Sequence, residues 1–103
     1  MKRFTPAEMA GMKESLYVEL ARGDIDVREA TRRMRKILGM NQKDYAGKVA
    51  GISPRILSEF ENGYGNPTLA TLEKIASPFG LEVTFLPPES WRINTKEKVP
   101  FVE

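Results

Sequence analysis

Seven side chains between Gln42 and Asn62 carry most of the chemistry in this chain: Gln42, Lys43, Ser53, Arg55, Ser58, Glu59 and Asn62. They offer amide, ammonium, hydroxyl, guanidinium and carboxylate groups, which suit recognition by hydrogen bond and charge. Bond-breaking chemistry has much less to work with. The 103 residues contain no His and no Cys, which removes disulfides, thiolate and imidazole metal ligands, Cys nucleophiles and any Ser-His-Asp arrangement. Glu59 and Glu61 are neighbours in sequence, yet two apart on a helix they do not share a face. Gly63 and Gly65 lack the preceding strand and the Lys-Ser/Thr ending of a phosphate-binding loop. The residues therefore read as a binding surface, with no enzyme activity, metal or cofactor expected.

Two short helical patterns must position those seven. Asn41 can cap a helix from Gln42 to about Val49 that buries Tyr45, Ala46 and Val49, and Ala50-Gly51-Ile52 makes the turn. Ser53 then caps a second helix with Pro54 at its first position, anchored by Ile56, Leu57 and Phe60 and stopped by Asn62-Gly63. This is the layout of a helix-turn-helix, in which one helix lies in a DNA groove and the other braces it.

The flanking sequence supplies supports. Thr5-Pro6-Ala7-Glu8 opens a helix to about Ala21, with Met9, Met12, Leu16 and Leu20 on one face and Gly23 as its stop. Asp26, with Glu29 placed for a second capping box, opens a helix whose apolar face is Val27, Ala30, Met34, Ile37 and Leu38 and which Gly39 ends. Its basic run Arg28, Arg32, Arg33 and Lys36 reads as a solvated outer face. Thr68 caps a further helix bearing Leu69, Leu72, Ile75 and Ala76, which Pro78 ends early. After Gly80 the period changes to an alternation of Leu81, Val83 and Phe85 with Glu82 and Thr84, a strand-like pattern closed by Pro87-Pro88. A lone strand leaves its backbone groups unpaired, so the economical partner is the same strand of a second copy, and a homodimer is expected. The division is an N-terminal helical extension (1–24), a helix-turn-helix domain (25–80), a dimerising strand (81–88) and a flexible tail (89–103) that holds Trp91.

Charge agrees with that placement. A net charge of +2 says little, but residues 26–60 carry eight Lys/Arg against four acids, while the rest of the chain carries eight against ten. No uncharged run approaches the ~18 residues of a membrane span, so the reading is of a soluble, cytoplasmic protein.

Arg35, Leu38-Gly39-Met40, Gln42, Ala46, Gly51-Ile52-Ser53, Leu57-Ser58, Phe60-Glu61-Asn62-Gly63, Asn66-Pro67, Thr71-Leu72 and Ile75-Ala76 together resemble the Cro and phage-repressor type of helix-turn-helix, the Xre family. The resemblance spans about Arg33 to Leu81. It implies a mainly α fold, a five-helix, lambda-repressor-like domain, here with an extra N-terminal helix and a C-terminal β-strand. It also implies double-stranded DNA as partner. On the matching positions, Gln42 would bond a phosphate or a neighbouring reading residue, and Lys43 would add charge. Ser53 would hold phosphate at the helix N-terminus. Arg55 would take guanine O6 and N7 bidentately, Ser58 and Glu59 would lie one turn on, with Glu59 accepting from a cytosine amino group, and Asn62 would hold the DNA backbone. Arg35 and Glu61 match a structural ion pair.

Three departures accompany the match. One residue more than the commonest spacing separates Gln42 from Gly51, Pro54 stands where many relatives place a hydrogen-bonding reader, and Glu59 is acidic at a reading position. The function this implies is a sequence-specific regulator, a repressor acting as a homodimer on an inverted-repeat operator. The alternative is the antitoxin of a toxin-antitoxin pair, bound to a toxin protein and controlling its own operon.

Overall fold

The computed structural model describes residues 3–92. Its α-helices are α1 (Pro6–Arg22), α2 (Val27–Leu38), α3 (Gln42–Asp44), which continues as a π-helical segment (Tyr45–Ala50), α4 (Pro54–Glu61) and α5 (Leu69–Ala76), followed by 3₁₀ turns at Ser77–Phe79 and Glu89–Trp91. Five side chains start the five α-helices by accepting a hydrogen bond from a first-turn N–H. These are Thr5 from Glu8, Asp26 from Glu29, Asn41 from Asp44, Ser53 from Ile56 and Thr68 from Thr71, at 2.8–3.2 Å. At Thr5 the capping box closes both ways, since Thr5 N–H also donates to Glu8 Oε1 at 2.9 Å. At Asp26 only half a box forms, because the Glu29 carboxylate turns to Arg32 at 3.4 Å.

The extra residue between Gln42 and Gly51 is taken up inside the bracing helix. From Tyr45 to Ala50 the hydrogen-bond ring widens to π, and the Gly51 N–H donates to the Ala46 carbonyl five residues back. Gly51 sits at φ 69, where an L side chain is strained, and the Ile52 N–H returns to the same carbonyl at 2.9 Å. The wider ring lets α3 lengthen without displacing the turn that delivers Ser53.

α1, α2, the π-helical segment, α4, α5 and the Ser77–Phe79 turn feed one core: Leu16, Ala30, Met34, Ile37, Tyr45, Ala46, Ala50, Leu57, Phe60, Ile75 and Phe79. Leu16 of α1 is fully buried in it, with Met9, Met12 and Leu20 packed alongside, and Arg33 of α2 ties to Glu19 of α1 at 2.7 Å. Burial of a side chain such as Leu16 or Leu57 contributes about 1.5–3 kcal/mol. Tyr45 is also fully buried; its hydroxyl donates to the Ile75 carbonyl at 2.8 Å, and burial pushes its pKa up to about 12.

Several expectations need correction. Counted with α1, there are five α-helices among the described residues. The domain behind α1 thus has four, with Ser77–Phe79 a 3₁₀ turn where Pro78 breaks α5. The expected C-terminal strand at 81–88 is absent among the described residues. The segment is an irregular arm, because strand geometry needs a ladder and one copy of the chain offers no edge to pair with. Val27, Ile56 and Leu69, assigned to apolar faces, are 53%, 43% and 60% exposed. Each lies within the first helical turn after its cap, where the chain is still entering from the surface. The first residues of the expected flexible tail form the Glu89–Trp91 turn, and Arg92 donates to the Pro87 carbonyl at 3.0 Å. Residues 93–103 of that tail lie outside the described residues. No helix among the described residues is long and apolar enough to cross a membrane.

Candidate nucleic-acid interface

The seven side chains are displayed around α4, whose far end is fixed by α2. Glu61, the last helical residue, is 1% exposed. Arg35 grips its carboxylate side-on, with Nε to Oε2 at 2.7 Å and Nη2 to Oε1 at 2.6 Å. Gln42 Nε2 donates to Oε1 at 3.1 Å. Arg35 also reaches the Met40 carbonyl at 3.3 Å, so one guanidinium joins α2, the loop before α3 and the end of α4. A buried carboxylate is tolerable only with such partners, since an unpaired charge there is strongly penalised.

Two further arginines complete the clamp. Arg28 Nε donates to the Phe60 carbonyl at 2.9 Å with its guanidinium 5.4 Å from the centroid of the Phe60 ring, and Arg32 Nη2 donates to the Glu61 carbonyl. Both carbonyls belong to the last turn of α4, which carries the negative end of the helix dipole, and the Phe60 carbonyl also accepts from the Gly63 N–H at 3.1 Å. The expectation that Arg28, Arg32 and Arg33 form a solvated face is therefore corrected: each is turned onto a neighbouring helix. Their spacing carried the signal. Arg28, Arg32 and Arg35 follow one another at i, i+4 and i+7, the spacing of one helix face, and a face of arginines adjoining an apolar stripe is well placed to meet helix-end carbonyls.

Along its open side α4 faces solvent. Ser53 is exposed; its Oγ accepts from Ile56 N–H at 3.1 Å, leaving the hydroxyl proton for an outside acceptor. Arg55 is 87% exposed in its side chain, and its Nε donates to Glu59 Oε1 at 2.9 Å. Asn62 Nδ2 lies 3.5 Å from Ser58 Oγ. Arg55, Ser58, Glu59 and Asn62 thus form one stripe along α4 at i, i+3, i+4 and i+7. Lys43 stands exposed on the first turn of α3, while Gln42 is half-buried with its amide turned inward to Glu61. The fold therefore groups five of the seven along α4 and its cap, sets Lys43 beside them on the bracing helix, and engages Gln42 in the clamp.

Such a stripe can donate and accept hydrogen bonds along a groove, with the helix behind it immobilised. A family model described as helix-turn-helix matches residues 32–86, rather more than half of the chain. Over 55 residues the chain is 44% identical to the HTH-type transcriptional regulator DdrOP3 of Deinococcus deserti, covering 53% of this chain and 42% of that protein. The chain thus spans less than half the length of that relative. No solved structure matches.

Proposed function

The chain belongs to the helix-turn-helix family, of the Cro and Xre type, and on that premise we propose that it is a sequence-specific DNA-binding regulator of transcription that represses as a homodimer. One observation carries this reading: the stripe Arg55, Ser58, Glu59 and Asn62 lies on the open side of a helix whose last turn is clamped by Arg28, Arg32 and Arg35. In this reading α4 lies in the major groove, with Arg55 on a guanine. Ser53, Asn62 and Lys43 contact phosphates and fix register without reading sequence. Gln42 supports them from within by holding the Glu61 carboxylate.

The arm at 81–86 supports the dimer. Among the described residues no backbone–backbone hydrogen bond engages residues 82–86, Thr84 Oγ1 donating only to the adjacent Phe85 carbonyl at 3.5 Å, and Phe85 is 98% exposed beside the half-exposed Val83 and Leu86. Apolar surface and free backbone groups in one segment favour pairing with a second copy about a two-fold axis. Two such α4 helices would address inverted half-sites about 34–36 Å apart.

Selection of bound duplexes from a random pool tests the reading. The expected product is an inverted repeat, bound less tightly as salt rises. Arg55→Ala should relax the preference at one position per half-site while nonspecific binding survives. A wild-type chain with no salt-dependent DNA binding defeats the proposal. Sedimentation tests the dimer: Phe85→Glu should yield folded monomers whose melting temperature no longer depends on concentration, and a wild-type monomer at all concentrations overturns it.

A further inference from the structure

Resting on the DNA-reading role of Arg55, we propose that Glu59 is a positioning residue: it holds the Arg55 guanidinium through Nε so that the Nη edge faces a guanine, and it does not itself read a base. Arg55 Nε donates to Glu59 Oε1 at 2.9 Å, and among the described residues no other hydrogen bond engages that guanidinium. A guanidinium has five N–H donors in a fixed plane. With Nε taken from the side, the two Nη groups keep the end-on geometry that matches guanine O6 and N7. Arg55 takes Oε1 of the Glu59 carboxylate, while Oε2 has no hydrogen bond among the described residues, so a base-reading role for Glu59 is the outcome the test must separate from positioning.

Helix support does not explain the pair. Arg55 stands in the first turn of α4 and Glu59 in the last, so the cation lies toward the positive end of the helix dipole and the anion toward the negative end. That order is the weaker one for an i,i+4 pair. Both side chains are substantially exposed, at 87% and 43%, where ion pairs contribute little to stability. A carboxylate on a DNA-facing stripe also repels phosphate, a cost in affinity that selectivity for the base can justify. Orientation is where the pair has something to offer: an unrestrained arginine loses side-chain entropy on binding, and one already held in plane loses less.

The test uses the full chain, the duplex that wild-type protein selects from a random pool, the same duplex with each G·C pair changed in turn to A·T, and a scrambled duplex. Arg55→Ala identifies the guanine that Arg55 contacts. At that position Glu59→Ala should lower discrimination about three- to tenfold, within the range of a single bidentate contact, while binding the scrambled duplex more tightly because a negative charge is gone. Glu59→Gln, which keeps an acceptor oxygen, should retain more of the preference than Glu59→Ala. With Arg55 already replaced by Ala, removing Glu59 should change no base preference.

Unchanged discrimination at that guanine in Glu59→Ala overturns the assignment. So does a preference lost at a different pair, which would make Glu59 a reader in its own right. Specific and scrambled affinity falling together with the melting temperature would reduce Glu59 to helix support. A wild-type chain that selects no duplex defeats the DNA reading itself, and this assignment with it, whereas selection with an indifferent Glu59 defeats the assignment alone.

Discussion

At the last turn of α4, Glu61 is 1% exposed and its carboxylate meets Arg35 and Gln42, while at the first turn Arg55 is 87% exposed and its hydrogen-bond partner among the described residues is Glu59. Both are charged residues in ion pairs on the same eight-residue helix. What separates them is desolvation. Inside, a charge without its partner is costly, so the pair fixes geometry; outside, water competes, so the pair is free to exchange its partner for a ligand. The difference teaches that holding and reading are divided between the buried and the open face of α4, so a substitution on one face should register mainly in stability and on the other mainly in binding.

The strongest way to break that division is Glu61→Ala, which strands Arg35 and should cost about 3–5 kcal/mol by chemical denaturation; unchanged unfolding would show that the clamp holds nothing. Alkaline titration probes the same interior. Tyr45 has its folded pKa raised to about 12 by burial, above the unfolded value of 10.0. Its contribution is therefore fully present below pH 10 and lost as pH rises toward 12, on the order of 2–3 kcal/mol, and Tyr45→Phe should remove that share of the alkaline loss. Arg28→Ala takes away one carbonyl partner and a ring contact at the end of α4, and thermal unfolding should report a loss of about 1–2 kcal/mol. Ser53→Ala deletes the cap at the start of α4, with about 1 kcal/mol expected in the same measurement. Arg55→Ala sharpens the contrast most: its stability should stay within about 0.5 kcal/mol of wild type, with the change confined to DNA selection. A large stability loss there would erase the distinction between the two faces.

The parts of the fold readable from sequence are those set by neighbours in the chain. Thr5, Asp26, Asn41, Ser53 and Thr68 each cap the helix that follows, because a cap is decided within three residues. Features decided across the fold were less legible. The basic run on α2 looks solvated in sequence, and only the approach of α4 turns Arg28 and Arg32 onto its carbonyls. Ile56 and Leu69 have core-type side chains but emerge at the surface, since position on the helix circumference outweighs residue type. The alternation from Leu81 to Phe85 is a real pattern without a ladder in one copy, because pairing is a property of two segments. Within the candidate site, Arg55, Ser58, Glu59 and Asn62 are named by the resemblance to the Cro and Xre type, and their spacing along α4 sets them in one stripe. The inward turn of Gln42 depended on where Glu61 came to rest.

The π-helical segment from Tyr45 to Ala50 has a bearing on how such motifs diverge. A residue added to a loop changes where the following helix begins, and one added to an α-helix rotates everything beyond it by about 100°. Here the surplus falls in a wider ring between the Asn41 cap and the Gly51 turn, upstream of the helix that carries Ser53 and Arg55. Such a ring offers a physical route by which the bracing helix can vary in length apart from the orientation of the helix it braces. Two chains of this kind can differ in residue count across the motif and still present the same face.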